Sequence, residues 1–289
     1  MTHIVGFAGK KQSGKNTACN FILALKLAEL GVCNTSRLTD TGGIEVTDIL
    51  GESGESEWLP FEDPFVDTKS LFDNELGGFI RMYALADSLK EVAVNVLGLS
   101  HEQAYGTDED KNTHTDIRWE DMPGIITPSE LKKKGFTKKQ AQSLGLTVHA
   151  SGKMTAREVL QYVGTDVFRK INSNVWLDSL FRRIEEEGPE LALVSDVRFE
   201  NEIKGIQKQG GFVVGLNRDP YQNEDRHASE TQVGKCLDLC DCIVENSDLS
   251  ISEQNEQIYY AISHLEEVIP EVTDAAEEEE EEKTTEEVS

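Results

Sequence analysis

Long hydrophobic runs are absent from this sequence, and basic side chains are few. No stretch approaches the roughly 20 apolar residues of a membrane-spanning helix, and the first residues have the pattern of a β-strand rather than of a signal peptide. The 28 Lys and Arg residues face 54 Asp and Glu residues, which gives a formal net charge of −26. We therefore expect no membrane partner and no direct nucleic-acid binding, because the latter depends on clustered basic side chains.

Cysteine is also scarce, and its spacing disfavours both disulfides and a metal site. The five cysteines are odd in number and unevenly placed, which predicts a reducing, cytoplasmic setting. The cluster C-L-D-L-C-D-C at residues 236–242 lacks a paired C-x-x-C spacing. A metal site is the alternative there, and buried apolar thiols are the favoured interpretation.

Acidic residues are concentrated in the segment that follows Pro270 in the sequence. Ten Asp and Glu residues and one lysine follow it, so that −9 of the net charge lies in residues 271–289. This segment has too little apolar surface to fold, and we predict a disordered tail. Residues 1–270 keep a charge of −17 and are predicted to form one domain, in which a polyphosphate site has to concentrate positive charge locally.

Strands and helices alternate along residues 1–270. Apolar runs predict strands at residues 4–8, 191–195, 212–216 and 242–244, and a strand that runs into a helix over residues 79–97. Helical periodicity predicts helices over residues 17–30, 155–164, 174–187, 200–209 and 252–268. The order is typical of a three-layer α/β/α fold with a mostly parallel sheet.

Three local features refine this prediction. Thr155 and Glu158 have the spacing of a capping box, and Gly164 is interpreted as the stop of the same helix. Residues 34–78 are predicted to be a variable, partly ordered insertion with a hairpin. Residues 99–152 are predicted to be loop-rich, and the basic residues 132–139 within them to be a solvated loop or helix face.

The glycine-rich segment behind the first strand has the composition of a phosphate-binding loop. Gly9, Gly14 and Lys15 have the P-loop spacing G-x-x-x-x-G-K, whereas Asn16 replaces the usual Ser or Thr and Thr17 comes one residue later. Glycines let the backbone turn its N–H groups toward one anion, the following helix adds its positive end, and the lysine reaches the outer phosphates. A glycine- and lysine-rich connection that binds nothing is the alternative.

A second signal lies at the end of the strand at residues 191–195. Asp196 follows this apolar run, as does the aspartate of P-loop proteins that orders Mg²⁺ or its waters. The active sites of parallel sheets form at the carboxyl ends of the strands. Asp196 is therefore predicted to lie across from the glycine-rich loop.

Further blocks follow in a fixed order over most of residues 4–246. They are A-D-S-L-K (residues 86–90), A-Y-G-T-D-E-D-K-N (104–112), R-W-E-D-M-P (118–123), L-Q-Y-V-G-T-D (160–166), S-D-V-R-F-E-N-E (195–202) and H-A-S-E (227–230). Together with the loop they resemble the deoxynucleoside monophosphate kinases of tailed bacteriophages, in the P-loop nucleoside monophosphate kinase superfamily. The insertion at residues 34–78 and the acidic tail lie outside the resemblance.

The resemblance implies an Mg²⁺-dependent kinase that transfers the γ-phosphoryl group of ATP to a deoxynucleoside monophosphate. Its products would be ADP and a deoxynucleoside diphosphate, in support of phage DNA synthesis in the host cytoplasm. Small-molecule nucleotides would be the partners, with residues 99–152 as the acceptor or lid region. The sequence leaves the oligomeric state open, a homodimer included.

For the phosphoryl donor, the resemblance implies roles for the residues of the loop. Lys15 would hold the β- and γ-phosphates, and the backbone of residues 13–17 would surround them. Further donor-site residues would be Gly9, Lys10, Lys11, Ser13, Gly14, Asn16 and Thr17. The family usually has an aspartate where this chain has Asn16, so either Asn16 or Thr17 would assist Asp196 at the Mg²⁺ ion.

For the acceptor, arginines are candidates because a guanidinium can grip two phosphate oxygens and stays charged. The cationic candidates are Arg157, Arg169, Arg198 and, beside Asp87, Lys90. A surface ion pair is the alternative for each. Gln161, Asp166 and Trp119 would line the nucleoside, and for Trp119 a packing role fits equally well.

Two other functions stay open at this point. One is a different small-molecule kinase of the same superfamily, similar to phosphomevalonate kinase or dephospho-coenzyme A kinase. The other is a non-catalytic nucleotide-binding module, which the substitution at Asn16 favours. The downstream arginines count against such a module, because pure nucleotide binding needs no second anion site.

Overall fold

The computed structural model describes residues 2–33, 35–47, 58–61, 76–218, 236–265 and 269. The predicted tail at residues 271–289 and the block at residues 227–230 lie outside these residues. In the part of the chain that is described, no helix is both long and apolar enough to cross a membrane.

The chain alternates between strands and helices, as predicted. The described strands are β1 (His3–Gly9), β2 (Thr35–Leu38), β3 (Ile44–Thr47), β4 (Leu59–Pro60), β5 (Ile80–Tyr83), β6 (His114–Arg118), β7 (Ile125–Ile126), β8 (Thr147–Val148), β9 (Lys153–Thr155), β10 (Leu191–Val197), β11 (Phe212–Leu216) and β12 (Cys242–Val244). The described α-helices are α1 (Lys15–Glu29), α2 (Asp87–Asn95), α3 (His101–Tyr105), α4 (Asp108–Lys111), α5 (Pro128–Lys133), α6 (Lys138–Ser143), α7 (Ala156–Gln161), α8 (Arg169–Ile171), α9 (Val175–Glu187), α10 (Glu200–Lys208) and α11 (Ile251–Ile262).

These elements form two compact units. The first, called the sheet unit below, comprises Met1–Ala84 and Ile184–Ser289. The second, called the middle unit, comprises Leu85–Arg183. Each unit has its own apolar core among the described residues.

The sheet unit is built on a five-stranded parallel sheet with the order β12-β11-β1-β10-β5. The fold is therefore α/β of the P-loop NTPase type, as predicted. The predicted strands at residues 212–216 and 242–244 have the observed bounds of β11 and β12. Strand β10 continues two residues beyond the predicted 191–195, so that Asp196 is its penultimate residue.

Helix α1 covers one face of the sheet because its apolar side chains recur at helical spacing. Ala18, Cys19, Ile22 and Leu27 are fully buried against strands of the sheet unit. The helix begins at Lys15, two residues before the predicted start, and Gly14 has φ 97° at its N-cap. Ala18 N–H donates to the Gly14 carbonyl oxygen at 2.9 Å, so the helical hydrogen bonds start at the glycine-rich loop itself.

The insertion contains the predicted hairpin. Strands β2 and β3 pair antiparallel, and β4 adds to β3. The hairpin packs on α1: Asn20 Nδ2 donates to the Gly42 carbonyl at 2.9 Å, and Ser36 Oγ donates to the Ala24 carbonyl at 2.7 Å. Strands β2 and β3 of the insertion thus pack against α1 in the sheet unit.

The prediction that residues 99–152 are loop-rich is wrong in part, because four short helices lie there. Each of α3, α4, α5 and α6 has a Ser or Thr whose side chain accepts from the backbone N–H three residues later, with a reciprocal Gln, Asp or Glu. The local spacing S/T-x-x-Q/D/E is the signal that could have revealed them. The basic residues 132–139 are exposed on and between α5 and α6, as predicted.

The predicted capping box of α7 is confirmed, and the predicted stop at Gly164 is wrong. Thr155 N–H donates to Glu158 Oε2 at 2.7 Å, and Glu158 N–H donates to Thr155 Oγ1 at 3.2 Å. The helix then continues as a π-helix over Tyr162–Phe168. Gly164 serves close packing instead of termination, because a Cβ there would lie 2.6 Å from Leu89 Cδ2. Its carbonyl accepts from Trp176 Nε1 at 3.1 Å.

The cysteines are free thiols that are buried or partly buried. Cys19, Cys33 and Cys236 are buried, whereas Cys240 and Cys242 are only partly so. Burial raises the pKa of Cys33 to about 11 and that of Cys240 to about 12. The described residues contain no cluster of three or more His, Cys, Asp or Glu side chains placed to hold a metal ion.

Candidate active site

The glycine-rich loop joins β1 to α1 at the carboxyl edge of the sheet. Its tight curl depends on two glycines: a Cβ on Gly9 would lie 2.3 Å from Ser13 Oγ, and one on Gly14 would lie 2.5 Å from Gln254 Oε1. Gln12 has φ 59°, which is uncommon for a residue other than glycine. The first N–H groups of α1 have no carbonyl partner within their own helix, so this end of the helix can receive an anion.

Lys15 lies within the loop and is buried, with 7% of its surface exposed. Its ammonium nitrogen donates to the carbonyl oxygens of Gly9 at 2.8 Å and Lys10 at 2.5 Å, and lies 3.4 Å from Ser13 Oγ. Lys10 and Lys11 are half-buried in the same loop. The loop thus concentrates positive charge in a chain whose net charge is −26.

Asp196 lies on β10, the neighbour of β1 in the sheet. The register pairs Ala8 of β1 with Val197, which places Asp196 beside the end of β1. Burial raises the pKa of the Cys19 thiol, the Asp196 carboxylate raises it further, and the Lys15 ammonium lowers it. Both charges act on the same buried sulfur of α1. The strand register places Asp196 at the same edge of the sheet as the loop.

Arg198 follows β10 at the same edge and precedes α10. Its backbone N–H and that of Phe199 donate to Glu202 Oε2 at 2.8 and 3.0 Å. Glu202 is buried, with 1% of its surface exposed. The buried carboxylate fixes the chain between strand and helix and so fixes the position from which the Arg198 side chain extends.

The two alternative metal-assisting residues differ in their surroundings. Asn16 is exposed, whereas Thr17 is half-buried against the insertion hairpin. A Cβ built on Gly42 would lie 2.4 Å from Thr17 Oγ1. Together with Asp196 these side chains offer hard oxygen atoms, the donor type that Mg²⁺ prefers with only one or two carboxylates, waters and phosphates around it. The residues present therefore fit such an ion.

Replacing Gly42 by alanine is expected to destabilise the protein. Gly42 has φ +82°, and the new Cβ would overlap Thr17 Oγ1, so the hairpin has to move away from α1. We expect a loss of about 1–3 kcal/mol in the free energy of unfolding, measured by denaturant titration. Gly43→Ala is the matched control, because its Cβ would meet Thr39 Oγ1 at 3.4 Å, an ordinary contact. Equal stability of both variants would contradict the packing of the hairpin on α1.

In the middle unit, Arg157 is held by two partners. Its Nε donates to Asn112 Oδ1 at 3.0 Å, and one terminal nitrogen donates to Asp108 Oδ1 at 2.6 Å. The side chain keeps 28% of its surface exposed. Asp108 and Asn112 lie in the block at residues 104–112, so this block orients the arginine.

Lys90 and Asp87 belong to a second charged group of the middle unit. Lys90 Nζ lies 3.8 Å from Asp87 Oδ1 and 4.9 Å from the ring centroid of Tyr105. Arg183 lies 3.4 Å from Asp87 Oδ2. Burial raises the pKa of Tyr105, and Asp87 raises it further. Asp87 is thus shared by two cations.

The remaining predicted acceptor residues occupy separate positions in the middle unit. Trp119 stacks on His149 with ring centroids 3.9 Å apart and meets Tyr162 edge-on at 5.6 Å, which is a packing contact. Gln161, Asp166 and Arg169 are half-buried and lie on the helical segment that follows Thr155 in the sequence. Gln161 ends α7, Asp166 lies 3.4 Å from Lys170, and Arg169 donates to the Ser173 carbonyl at 3.4 Å.

Two buried amides, Asn246 and Gln254, lie beside the loop and belong to none of the sequence motifs. Asn246 Nδ2 donates to the Ser13 carbonyl at 2.8 Å and to Gln254 Oε1 at 2.6 Å. Asn246 follows β12 just as Asp196 lies near the end of β10. The rule that polar residues at the carboxyl ends of parallel strands line the site could have identified it.

Comparison with known proteins identifies the family of the chain. A family model described as "Deoxynucleotide monophosphate kinase" matches residues 78–258. A protein of Acanthamoeba polyphaga mimivirus, named "Putative deoxynucleotide monophosphate kinase", is 28% identical over 199 residues, which cover 65% of this chain and 84% of the viral protein. The family match includes Asp196, Arg198 and the whole middle unit, and the glycine-rich loop precedes it. The chain belongs to the deoxynucleotide monophosphate kinase family.

Proposed function

We propose that this chain transfers the γ-phosphoryl group of ATP to the phosphate of a deoxynucleoside monophosphate, which yields ADP and the deoxynucleoside diphosphate. The proposal is carried by two features at the same edge of the sheet. Lys15 is buried and enclosed by a glycine-rich loop, and Asp196 lies near the end of the neighbouring strand. Family membership supports the nature of the acceptor.

Lys15 is the residue that we assign to the transferred group. Its ammonium donates to backbone carbonyls of the loop, and phosphate oxygens of the donor would replace these weaker acceptors. Negative charge moves from the γ-phosphoryl group toward the bridging oxygen during transfer, and a lysine in a water-poor loop stabilises it. A bound Mg²⁺, held by Asp196 and by either Asn16 or Thr17, would neutralise further phosphate charge.

The acceptor needs no general base, because its phosphate oxygen is already anionic at pH 7. What it needs is relief from the repulsion between two anions. We assign this to Arg157 and Arg198, with Lys90 and Arg169 as further cations. The guanidinium of Arg157 is preorganised, because hydrogen bonds to Asp108 and Asn112 hold it in one orientation.

Replacing Arg157 by alanine is expected to raise the KM for the deoxynucleoside monophosphate about tenfold or more, with little change in the KM for ATP. The loss of one charge-assisted contact to the acceptor phosphate explains the effect. Steady-state kinetics with each substrate varied in turn measure it. Arg182→Ala, an exposed arginine of α9, is the control. An unchanged acceptor KM in Arg157→Ala would remove this residue from the acceptor site.

The function itself is tested with the full chain, ATP, Mg²⁺ and a panel of acceptors, with ADP formation as the readout. We expect turnover with at least one deoxynucleoside monophosphate. Phosphomevalonate and dephospho-coenzyme A belong in the panel, since turnover only with one of them would point to another kinase of the superfamily. A folded protein that forms no ADP with any acceptor would point to a nucleotide-binding module.

A further inference from the structure

Two buried amide side chains lie directly against the glycine-rich loop. Asn246 and Gln254 are 1% and 4% exposed, and Asn246 Nδ2 donates both to the Ser13 carbonyl and to Gln254 Oε1. Gln254 also lies so close to Gly14 that a Cβ there would be 2.5 Å from its Oε1. The pair thus contacts the loop at the two residues just before Lys15.

We propose that Asn246 is a positioning residue of the donor site, which holds the Ser13–Gly14 peptide in the orientation that binds a polyphosphate. The proposal rests on the donor-site assignment of the proposed function. The new element is that the shape of the loop depends on a side chain 233 positions away along the chain.

The physical reason lies in the planarity of the peptide bond. No described peptide bond is cis, so the Ser13 carbonyl and the Gly14 N–H point in opposite directions from one plane. A donor that fixes the carbonyl on one side therefore fixes the N–H on the other side. Glycine at φ 97° has no side chain to restrict this plane, so without Asn246 the peptide loses the hydrogen bond that fixes its carbonyl.

The two amides also bury polar atoms that apolar side chains would not have. Among the described residues, Asn246 Oδ1 and Gln254 Nε2 are buried polar atoms without a hydrogen-bond partner. An apolar pair of similar shape would fill the same space without such atoms. The hydrogen bond to the loop, rather than packing alone, therefore accounts for the buried amide pair.

Asn246→Leu tests the proposal, because leucine has the same branched shape as asparagine, although it is larger, and cannot donate to the Ser13 carbonyl. The probe is inorganic tripolyphosphate, which can contact the loop but has no nucleoside. We expect calorimetry to show about tenfold weaker tripolyphosphate binding than in the wild-type protein. Thermal stability should fall somewhat, because the buried Ser13 carbonyl and Gln254 Oε1 lose their donor. In kinetics the KM for ATP rises and the KM for the acceptor does not. In a ¹⁵N-labelled sample the amide signal of Gly14 responds less to the probe.

Gln254→Met provides a second variant, since it removes the acceptor that orients the Asn246 amide. We expect about threefold weaker tripolyphosphate binding. Its matched control is Gln207→Met, which removes an amide that donates to the Leu239 carbonyl and to Asp241, away from the loop. The control should bind the probe as the wild-type protein does.

The outcomes separate the two claims. Wild-type affinity in a folded Asn246→Leu variant would overturn the positioning role and leave the donor site intact. If that variant does not fold, equal affinities of Gln254→Met and Gln207→Met would overturn it. A wild-type protein that does not bind tripolyphosphate would overturn the donor site, and the positioning role with it.

Discussion

Replacing Lys15 by alanine lowers kcat/KM for the proposed phosphoryl transfer by about 10³-fold. The ammonium is enclosed by the loop, and its hydrogen bonds to the Gly9 and Lys10 carbonyls show that it can reach oxygen atoms in the loop interior. The migrating charge of the phosphoryl group would lose its nearest buried cation. Both kcat and the affinity for ATP should fall, because the lysine contacts the donor before and during transfer.

Lys208→Ala is the matched control for this variant. Lys208 is exposed in the last turn of α10, and its removal changes the net charge of the protein by the same amount. We expect wild-type kinetics for it. Full activity in Lys15→Ala would show that the glycine-rich loop is not the donor site.

Replacing Asp196 by asparagine lowers kcat by about 10²-fold or more. Asparagine keeps the shape of the side chain at the end of β10 and removes its charge. The strand register places the carboxylate at the same edge of the sheet as the loop. A site that uses Asp196 to hold Mg²⁺ should therefore need more of the ion for half-maximal rate.

The measurement is a titration of activity with Mg²⁺ at fixed ATP in the wild-type protein and in Asp196→Asn. Asp238→Asn, an exposed carboxylate on a 3₁₀ turn, is the control for the loss of one negative charge. We expect the midpoint to shift only in Asp196→Asn. The same midpoint in all three proteins would exclude Asp196 as a metal-holding residue.

Elements with strong local patterns could be predicted from the sequence. Strands β11 and β12 are short apolar runs between turns, and their bounds were correct to the residue. The hairpin of the insertion and the capping box at Thr155 were confirmed for the same reason. Local spacing is enough to predict these features.

Other elements depend on contacts between distant residues. Gly164 has the local signature of a helix stop, yet the helix continues because Leu89 packs against the glycine and Trp176 uses its carbonyl. Helix α11 ends at Ile262, and a 3₁₀ turn follows at Ser263–Leu265, so the predicted helix over residues 252–268 is too long by at least this turn.

The candidate site was predictable where it follows the rule of parallel sheets. The loop at residues 9–15 and Asp196 lie at the same edge because β1 and β10 are parallel neighbours. The contact of Asn246 with Ser13 joins residues 233 positions apart. The strand-end rule can mark Asn246 as a site residue, but it cannot show which residue Asn246 contacts. The support of Arg157 by Asp108 and Asn112 likewise arises only in the folded middle unit.

The central claim is that one chain carries a phosphoryl group from ATP to a deoxynucleoside monophosphate. Its most direct test uses ATP labelled in the γ-phosphate, with the wild-type protein and Lys15→Ala side by side. We expect the label to appear in the deoxynucleoside diphosphate with the wild-type protein and to be nearly absent with the variant. Label released only as inorganic phosphate, or equal transfer by both proteins, would contradict it.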